Sequence, residues 1–272
     1  INQPSAGYWY PRSGWLRPDA VCRNLVTSSN IHVMEHCGEV TLCADGEQWQ
    51  AFAGGHILAQ ATCAIAATGT GAIAMSQLQW LPLQTIRGQI TRLPATHTFN
   101  GLRAALCHDG YISPARQGRD SIGATFDISG NDPAPCVGDH RENLARLADA
   151  VPVWREALES LDPATLEGRV GFRCASPDYL PVVGPAPDVS RFLDDFAPLR
   201  KNARKVVATQ GSFLPGLYVS TAHGSRGLTS APIAAELLAS MICSEPLPFS
   251  RTLCRALAPA RFIIRDLTCN RI

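Results

Sequence analysis

A strand, a glycine turn and then a helix follow one another in Gly216-Leu-Tyr-Val-Ser-Thr-Ala-His223-Gly-Ser-Arg226-Gly-Leu-Thr-Ser-Ala-Pro232-Ile-Ala-Ala-Glu236-Leu-Leu. The small residues Gly224, Ser225 and Gly227 let a ligand approach the main chain. Pro232 is expected to open the helix, whose first N–H groups and positive dipole end attract an electron-rich ligand. The pattern therefore predicts an anion site, although an ordinary strand-to-helix connection has the same turn chemistry.

Composition indicates a globular protein of one large or two modest domains, with 272 residues, 46% of them hydrophobic, and a net charge of +1. Lys201 and Lys205 are the only lysines, so arginine carries nearly all of the positive charge. Binding to a nucleic acid would then need a local basic patch rather than a basic chain. No apolar run approaches the ~20 residues of a membrane span, so no membrane partner is expected.

Ten cysteines are scattered along the chain without any C-x-x-C pair. This usage favours reduced thiols and a cytoplasmic location over a disulfide framework. The nearest approach to a metal-like cluster is His32, His36, Cys37 and Cys43, which lacks recognised ligand spacing. We therefore expect no metal site.

The first third of the chain predicts a helix over 17–26 opened by Pro18, strand-like segments at 31–34 and 40–43, and a hairpin at Asp45-Gly46. An apolar, buried strand at 61–67 then enters the glycine turn 69–74, which fits G-x-G-x-x-A. The run Trp80-Leu-Pro-Leu interrupts the expected helix, and no acid follows about 20 residues on. The turn is thus predicted to let backbone pass close to a cofactor, and not to act as an autonomous phosphate loop.

The middle of the chain predicts a mostly antiparallel sheet, with strands at 85–93, 102–106, 110–114 and 121–126 and a turn at Gln117-Gly118. A helix with a capping box from Asp139 to Glu142 follows. Four prolines in 171–188 exclude a regular helix or a central strand there. Arg173 in this segment fits either a structural ion pair with a nearby aspartate or a clamp for an anion. The fold class expected is mixed α/β (α+β).

Five motifs in order resemble the glycine-oxidase and D-amino-acid-oxidase class of flavoproteins: R-G-Q (87–89), G-Y-I-S-P (110–114), I-G-A-T-F-D (122–127), G-F-R-C-A-S-P-D-Y-L-P-V-V-G (171–184) and H-G-S-R-G-L (223–228). The segment Y-P-R-S-G-W-L-R-P (10–18) and the segment 257–262 near the end of the chain are similar to one family within that class. This is the FAD-dependent C-terminal oxidoreductase module of bifunctional tRNA 5-methylaminomethyl-2-thiouridine biosynthesis proteins. The resemblance covers essentially the whole chain.

The resemblance implies FAD as cofactor and a partial FAD-binding domain of the D-amino-acid-oxidase type, interleaved with the antiparallel substrate sheet. Residues 1–10 would end a preceding substrate-domain segment, 11–82 and 171–265 would belong to the flavin domain, 83–170 to the substrate domain, and 266–272 to a tail. The family also has a glycine-rich phosphate loop and an S-adenosylmethionine-dependent methyltransferase module. Neither is found in the sequence, so we expect a longer parent protein or a weakened contact with the FAD pyrophosphate.

The resemblance also implies roles for individual residues. Three residues would lie along the nucleotide half of FAD: Ala67, Thr68 and Gly69. Six would face the isoalloxazine ring: His223, Gly224, Ser225, Arg226, Gly227 and Leu228. Arg173 would hold a substrate carboxylate by two charge-assisted bonds, Tyr111 would orient the substrate, and Arg226 would face either the flavin or RNA.

A cluster of four cations is the candidate for RNA contact: Arg200, Lys201, Arg204 and Lys205. It predicts phosphate binding just before a strand, or else a solvated loop that balances Asp194 and Asp195.

The activity implied is removal of the carboxymethyl group of 5-carboxymethylaminomethyl-(2-thio)uridine in tRNA by oxidation, which leaves 5-aminomethyl-(2-thio)uridine. Two alternatives stay open at this point. One is an FAD-dependent oxidase of a free amino acid such as glycine or sarcosine, and the other is a non-catalytic RNA-binding fragment.

Overall fold

The computed structural model describes residues 7–94 and 101–272. The α-helices of this part are α1 (Pro18–Leu25), α2 (Val137–Ala150), α3 (Arg155–Glu159), α4 (Val189–Asp195), α5 (Gly227–Ile242), α6 (Arg251–Leu257) and α7 (Arg261–Thr268). The strands are β1 (Thr41–Asp45), β2 (Gln48–Ala53), β3 (His56–Ala61), β4 (Ala64–Ala66), β5 (Gln84–Pro94), β6 (Leu106–Cys107), β7 (Tyr111–Arg116), β8 (Arg119–Gly123), β9 (Glu167–Ala175), β10 (Val182–Pro187) and β11 (Phe213–Thr221). Among the residues described, no helix is both long enough and apolar enough to cross a bilayer.

The chain forms two compact units, and each is built from two separate stretches of sequence. The first unit comprises residues 1–32 and 86–172, and the second comprises residues 33–85 and 173–272. The five-segment division into flavin and substrate domains stays a prediction, and residues 1–6 of its first segment lie outside the described part of the chain.

The first unit contains the five-stranded sheet in the order β6-β7-β8-β5-β9. The pairs β6–β7, β7–β8 and β8–β5 are antiparallel, as the alternating pattern predicted. Helix α2 lays Leu144 and Leu147 against Leu93, Ile112 and Ile122 of this sheet. This apolar contact between helix and sheet is the core of the unit.

The R-G-Q motif on β5 anchors this sheet to α2. Arg87 is buried and donates to Asp139 at 2.5 Å, to the Asp132 carbonyl at 2.7 Å and to the Ala134 carbonyl at 2.8 Å. Gln89 accepts from the Cys136 backbone N–H at 2.8 Å and donates to the Cys136 carbonyl at 2.9 Å. Removing Arg87 would leave the carboxylate of Asp139 without its cation in a nearly buried place, so the motif has a structural role.

The predicted capping box from Asp139 to Glu142 is wrong. Helix α2 begins at Val137, and its N-cap Cys136 makes no side-chain capping bond. The carboxylate of Asp139 pairs with Arg87, and that of Glu142 pairs with Arg146 at 2.5 Å. A partner distant in the sequence therefore displaces the local hydrogen bond that the pattern favoured.

The second unit contains two three-stranded sheets, the antiparallel β1-β2-β3 and the mixed β10-β11-β4. The Asp45-Gly46 hairpin is confirmed, with Asp45 opposite Gln48. Strand β11 runs antiparallel to β10 and parallel to β4. Trp49 of β2 donates its indole N–H to the Pro215 carbonyl at 2.8 Å, which ties the first sheet to the start of β11.

Several predicted element bounds change in the structure. Helix α1 is confirmed, but 31–34 has no regular structure, and the predicted strand 102–106 is reduced to Leu106–Cys107. The predicted buried strand 61–67 is reduced to Ala64–Ala66, where Ile65 is 48% exposed. The backbone N–H and C=O groups of a strand need a neighbouring strand as hydrogen-bond partner, and the alternation of apolar and polar residues does not reveal whether that neighbour is present.

Strand β10 contains Pro185 and Pro187 and lies at a sheet edge, as its prolines require.

Candidate cofactor site

Strands β4 and β11 end beside each other in the second unit, and a hydrogen bond joins the last residue of β11 to the turn that follows β4. Thr221 is buried, and its hydroxyl donates to the Gly69 carbonyl at 2.9 Å. The Cys174 thiol lies 3.4 Å from the same hydroxyl oxygen. Ala175 forms an isolated antiparallel bridge with His223. The glycine turn, the end of β9 and the loop before α5 are thereby held at one place.

The loop from 222 to 228 exposes its backbone. Ala222 and Gly224 have φ values of +59° and +55°, which turn the chain sharply after β11. No atom lies within 4 Å of the position that a Cβ of Gly224 would take. Ser225 and Arg226 are exposed, and Leu228 is 51% exposed. A flat ligand could therefore contact the main chain of this loop.

The predicted start of the helix at Pro232 is wrong. Helix α5 begins at Gly227 with Arg226 as N-cap, and Pro232 lies inside it. Proline has no N–H, so the carbonyl of Leu228 four residues earlier loses its usual helical partner. The first-turn N–H groups and the positive dipole end of α5 consequently lie at Gly227 to Ser230, directly after the glycine loop.

The imidazole of His223 is held between two serine hydroxyls. Its Nε2 lies 3.2 Å from Ser220 Oγ, and its Nδ1 lies 2.9 Å from Ser230 Oγ. Ser230 in turn donates to the Arg226 carbonyl at 3.0 Å, and the Arg226 backbone N–H donates to the His223 carbonyl at 3.1 Å. Burial lowers the pKa of His223, which favours the neutral ring.

The glycine turn after β4 is a single 3₁₀ segment from Gly69 to Ala74 and not the start of a long α-helix. Ala67 and Thr68 are exposed, and Gly69 has a φ of +59°. The Gly71 backbone N–H donates to the Thr68 carbonyl at 3.1 Å. The structure thus brings the 67–69 turn to the same side of the unit as the loop after β11.

Arg173 and Tyr111, the two residues predicted to act on substrate, belong to different units. Arg173 is half-buried near the end of β9, where strand alternation directs it to the opposite face from Cys174. Tyr111 begins β7 opposite Cys107 and Gly123, and it is also half-buried.

Asp178, the carboxylate nearest Arg173 in the sequence, forms a bidentate ion pair with Arg261. Arg261 Nε and Nη2 donate to its two oxygens, each at 2.9 Å. Ser176 donates to the same carboxylate at 2.8 Å. Burial opposes the charge, but hydrogen bonds from Arg261 and Ser176 outweigh it and lower the pKa of Asp178 to about 2. This pair ties the 176–180 turn to α7.

The basic cluster lies on the surface of the second unit. Arg200 ends a 3₁₀ turn and donates to the Ile272 carbonyl at 2.7 Å, and all four cations are exposed. The cluster was predicted to come just before a strand, which is wrong because β11 begins only at Phe213. In the part of the chain described, no three or more metal-binding side chains come close enough to hold an ion.

Two strand ends, a glycine loop with open backbone and a helix N-terminus thus lie together in the second unit. Gly224 has no side chain to cover the main chain, and no other described residue fills the space beside it. This open backbone is compatible with the polar edge of a flavin. The FAD-dependent oxidoreductase family matches residues 2–241, and the chain belongs to this family.

Two relatives show which members of this family the chain is similar to. The chain is 43% identical over 270 residues to the tRNA 5-methylaminomethyl-2-thiouridine biosynthesis bifunctional protein MnmC of Pseudomonas putida KT2440, with 98% of this chain and 41% of that protein covered. The protein of the same name from Pseudomonas aeruginosa UCBPP-PA14 is 42% identical over 269 residues, with the same coverage. The chain therefore spans about two fifths of the length of these relatives.

Solved structures share the fold. Glycine oxidase from Geobacillus kaustophilus superposes with a TM-score of 0.58 at 20% identity, covering 81% of this chain and 51% of that one. Iminodiacetate oxidase from Chelativorans sp. BNC1 gives a TM-score of 0.54 at 22% identity, covering 78% and 50%. The predicted fold class is confirmed by these matches.

Four residues that hold the loop were not singled out from the sequence: Cys174, Ser220, Thr221 and Ser230. Ser220 and Thr221 end a strand directly before the glycine turn, and Ser230 follows His223 by seven residues. Hydroxyls at these places are a weak signal, because Ser and Thr are common at the ends of any element.

Proposed function

We propose that this chain is the oxidising part of a tRNA wobble-uridine modification enzyme. It would oxidise the glycyl C–N bond of 5-carboxymethylaminomethyl-(2-thio)uridine to an imine, which water hydrolyses to glyoxylate and 5-aminomethyl-(2-thio)uridine. FAD, when bound, supplies the acceptor for the two electrons, and oxygen takes them up afterwards. Relatives at 42–43% identity named for this modification support the substrate class.

The loop from His223 to Leu228 would hold the electron-accepting end of the cofactor. Its open Gly224 and the N–H groups at the start of α5 favour negative charge, which is the charge that develops when electrons arrive there. The turn with Ala67, Thr68 and Gly69 would contact the nucleotide half. Both segments lie in the second unit and are joined by the Thr221 to Gly69 hydrogen bond.

Arg173 would hold the carboxylate of the substrate. A guanidinium presents two parallel N–H donors to a carboxylate and fixes its orientation as well as its position. Asp178 pairs with Arg261 on both of its oxygens, which weakens the alternative that Arg173 serves chiefly as its structural partner. Tyr111 would orient the substrate, and no strong base is needed if the reacting carbon is held close to its acceptor.

Contact with tRNA would come from Arg200, Lys201, Arg204 and Lys205, which are exposed and close together in sequence. The partner in the whole protein would be an S-adenosylmethionine-dependent methyltransferase module, and the reaction would take place in the cytoplasm. The interleaved domain division, with the flavin segments 11–82 and 171–265 around the substrate segment 83–170, belongs to the same proposal.

The convergence of the glycine loop, the helix N-terminus and the 67–69 turn is the observation that carries the proposal. Anaerobic mixing of the FAD-loaded protein with tRNA that carries the carboxymethylaminomethyl group should bleach the oxidised flavin absorbance. The same tRNA that already carries the aminomethyl product is the matched control and should leave the absorbance unchanged.

Two other outcomes would replace the proposal. Bleaching by glycine or sarcosine but not by the modified tRNA would assign the chain to free amino-acid oxidation. Binding of tRNA without any bound flavin would assign it to RNA binding without catalysis.

A further inference from the structure

The ring of His223 has two hydroxyl partners, and the direction of its hydrogen bonds follows from the Arg226 carbonyl. A carbonyl can only accept, so the single hydrogen of the Ser230 hydroxyl is donated to Arg226 at 3.0 Å. Ser230 must then accept from His223 Nδ1 at 2.9 Å, and Nδ1 carries the proton. In a neutral ring Nε2 is left as the acceptor for the Ser220 hydroxyl at 3.2 Å.

These hydrogen bonds connect the two ends of the loop from His223 to Arg226. The backbone N–H of Arg226 donates to the His223 carbonyl, while the carbonyl of Arg226 is reached from the His223 side chain through Ser230. Ser220 adds a link to the end of β11. The residues between His223 and Arg226, including Gly224 with its open backbone, are thus fixed at both ends.

We infer that His223 is a positioning residue: as the neutral Nδ1–H tautomer it joins β11 to the first turn of α5 and so holds the backbone N–H groups of the loop toward the cofactor. This inference rests on the proposed function, because it assigns the work of those N–H groups to FAD. It differs from that proposal in that both ring nitrogens are used inside the loop, so the ring itself makes no hydrogen bond to the cofactor.

The test uses the FAD-loaded protein and substitutions of Ser230. Ser230→Ala removes the acceptor for Nδ1–H and the bond to Arg226, whereas Ser230→Thr keeps a hydroxyl. Thr252→Ala is the control, because Thr252 is an exposed threonine on α6, outside the loop and the first turn of α5. The measurements are the FAD dissociation constant and the two-electron midpoint potential of the bound flavin.

We expect Ser230→Ala to weaken FAD binding about tenfold. We also expect it to make the midpoint potential about 30 mV more negative, which corresponds to a tenfold loss of preference for the reduced form. Ser230→Thr should keep both values near those of the unsubstituted protein, and Thr252→Ala should change neither. Ser220→Ala combined with Ser230→Ala should cost less than the sum of the two single changes, because both act through one ring.

A lower melting temperature for Ser230→Ala with an unchanged potential would overturn the inference and leave His223 a purely structural residue. A ¹⁵N spectrum that shows the proton of His223 on Nε2 would overturn it as well. Failure of the unsubstituted protein to bind FAD would instead refute the proposed function. This result is distinguishable because it is seen before any substitution is made.

Discussion

Asp120 on β8 is fully buried, and neither of its carboxylate oxygens has a hydrogen-bond partner among the residues described. Burial raises the pKa of Asp120 because the charged form loses its solvation. In the unfolded chain the group titrates near its ordinary value of about 3.9. The stabilising contribution of the neutral carboxyl is therefore complete below that pH and is lost as pH rises through the folded-state pKa.

Replacing Asp120 with leucine should raise the free energy of unfolding at pH 7 by about 2 kcal/mol, since a buried group without a partner is removed. Asp120→Asn should abolish the fall in the free energy of unfolding between pH 4 and pH 7. At pH 7 it should stabilise the protein less than the leucine substitution does. Urea unfolding at both pH values measures each effect. Asp194→Asn on the exposed surface is the control, and a less stable leucine variant would contradict the prediction.

Arg173 is the residue on which the substrate assignment depends. Arg173→Lys should lower kcat/KM for the modified tRNA by about 10- to 100-fold, mainly through KM, because an ammonium cannot form the two parallel bonds. Steady-state kinetics with equal flavin content provides the measurement. Arg169→Lys, an exposed position four residues earlier on β9, should be neutral. An equal loss in both variants would show that β9 itself is disturbed.

At the scale of elements, β4 and β11 depend on one glycine. Gly216 has a φ of +70°, and a Cβ there would overlap the Thr62 carbonyl oxygen. Gly216→Ala should therefore lower the free energy of unfolding by about 3 kcal/mol through strain and overlap combined. Gly55→Ala has a similar φ of +82° but open space, so it should cost only about 1 kcal/mol. Urea unfolding would contradict this account if the two variants lost the same stability.

Sequence patterns predicted elements best where the signal is local. The Asp45-Gly46 hairpin and the proline-opened helix α1 follow from turn and helix chemistry and are confirmed. The helix start at Pro232 was wrong because proline is also tolerated inside a helix whose other contacts compensate. The cap at Asp139 was wrong because Arg87, 52 positions away, takes the carboxylate. Residue-level partners such as Ser220 and Ser230 depend on how the loop closes, which no spacing rule gives.

At the scale of the whole molecule, the proposed contact with RNA rests on the basic cluster of Arg200, Lys201, Arg204 and Lys205. Lys201→Gln with Lys205→Gln should weaken tRNA binding. The pair should also lower the slope of log affinity against log salt by about one to two, because fewer counterions are released on binding when phosphate contacts are lost. Filter binding at several salt concentrations measures both. The matched control is Arg251→Gln with Arg255→Gln, two exposed cations on α6. Equal effects in the two pairs would indicate only a general charge effect.

The family could be predicted from the order of five short motifs, and its match over residues 2–241 confirms it. Within the R-G-Q motif, Arg87 donates to the Asp132 carbonyl and to the Asp139 carboxylate, so this motif has a contact of its own in the first unit. The interleaved domain division was predicted only through the resemblance, because no local pattern marks where the chain leaves one unit for the other. The polypeptide passes between them more than once, and which stretches pack together is decided by side chains far apart in the sequence.

The two prolines of β10 have a consequence for how its sheet can grow. Pro185 and Pro187 lack amide hydrogens, so the outer border of β10 cannot offer a continuous row of donors to another strand. The opposite border, formed by β4, carries no such block and presents the half-exposed Ile65. An additional strand would accordingly extend this sheet beside β4, next to the 69–74 turn, and not beside β10.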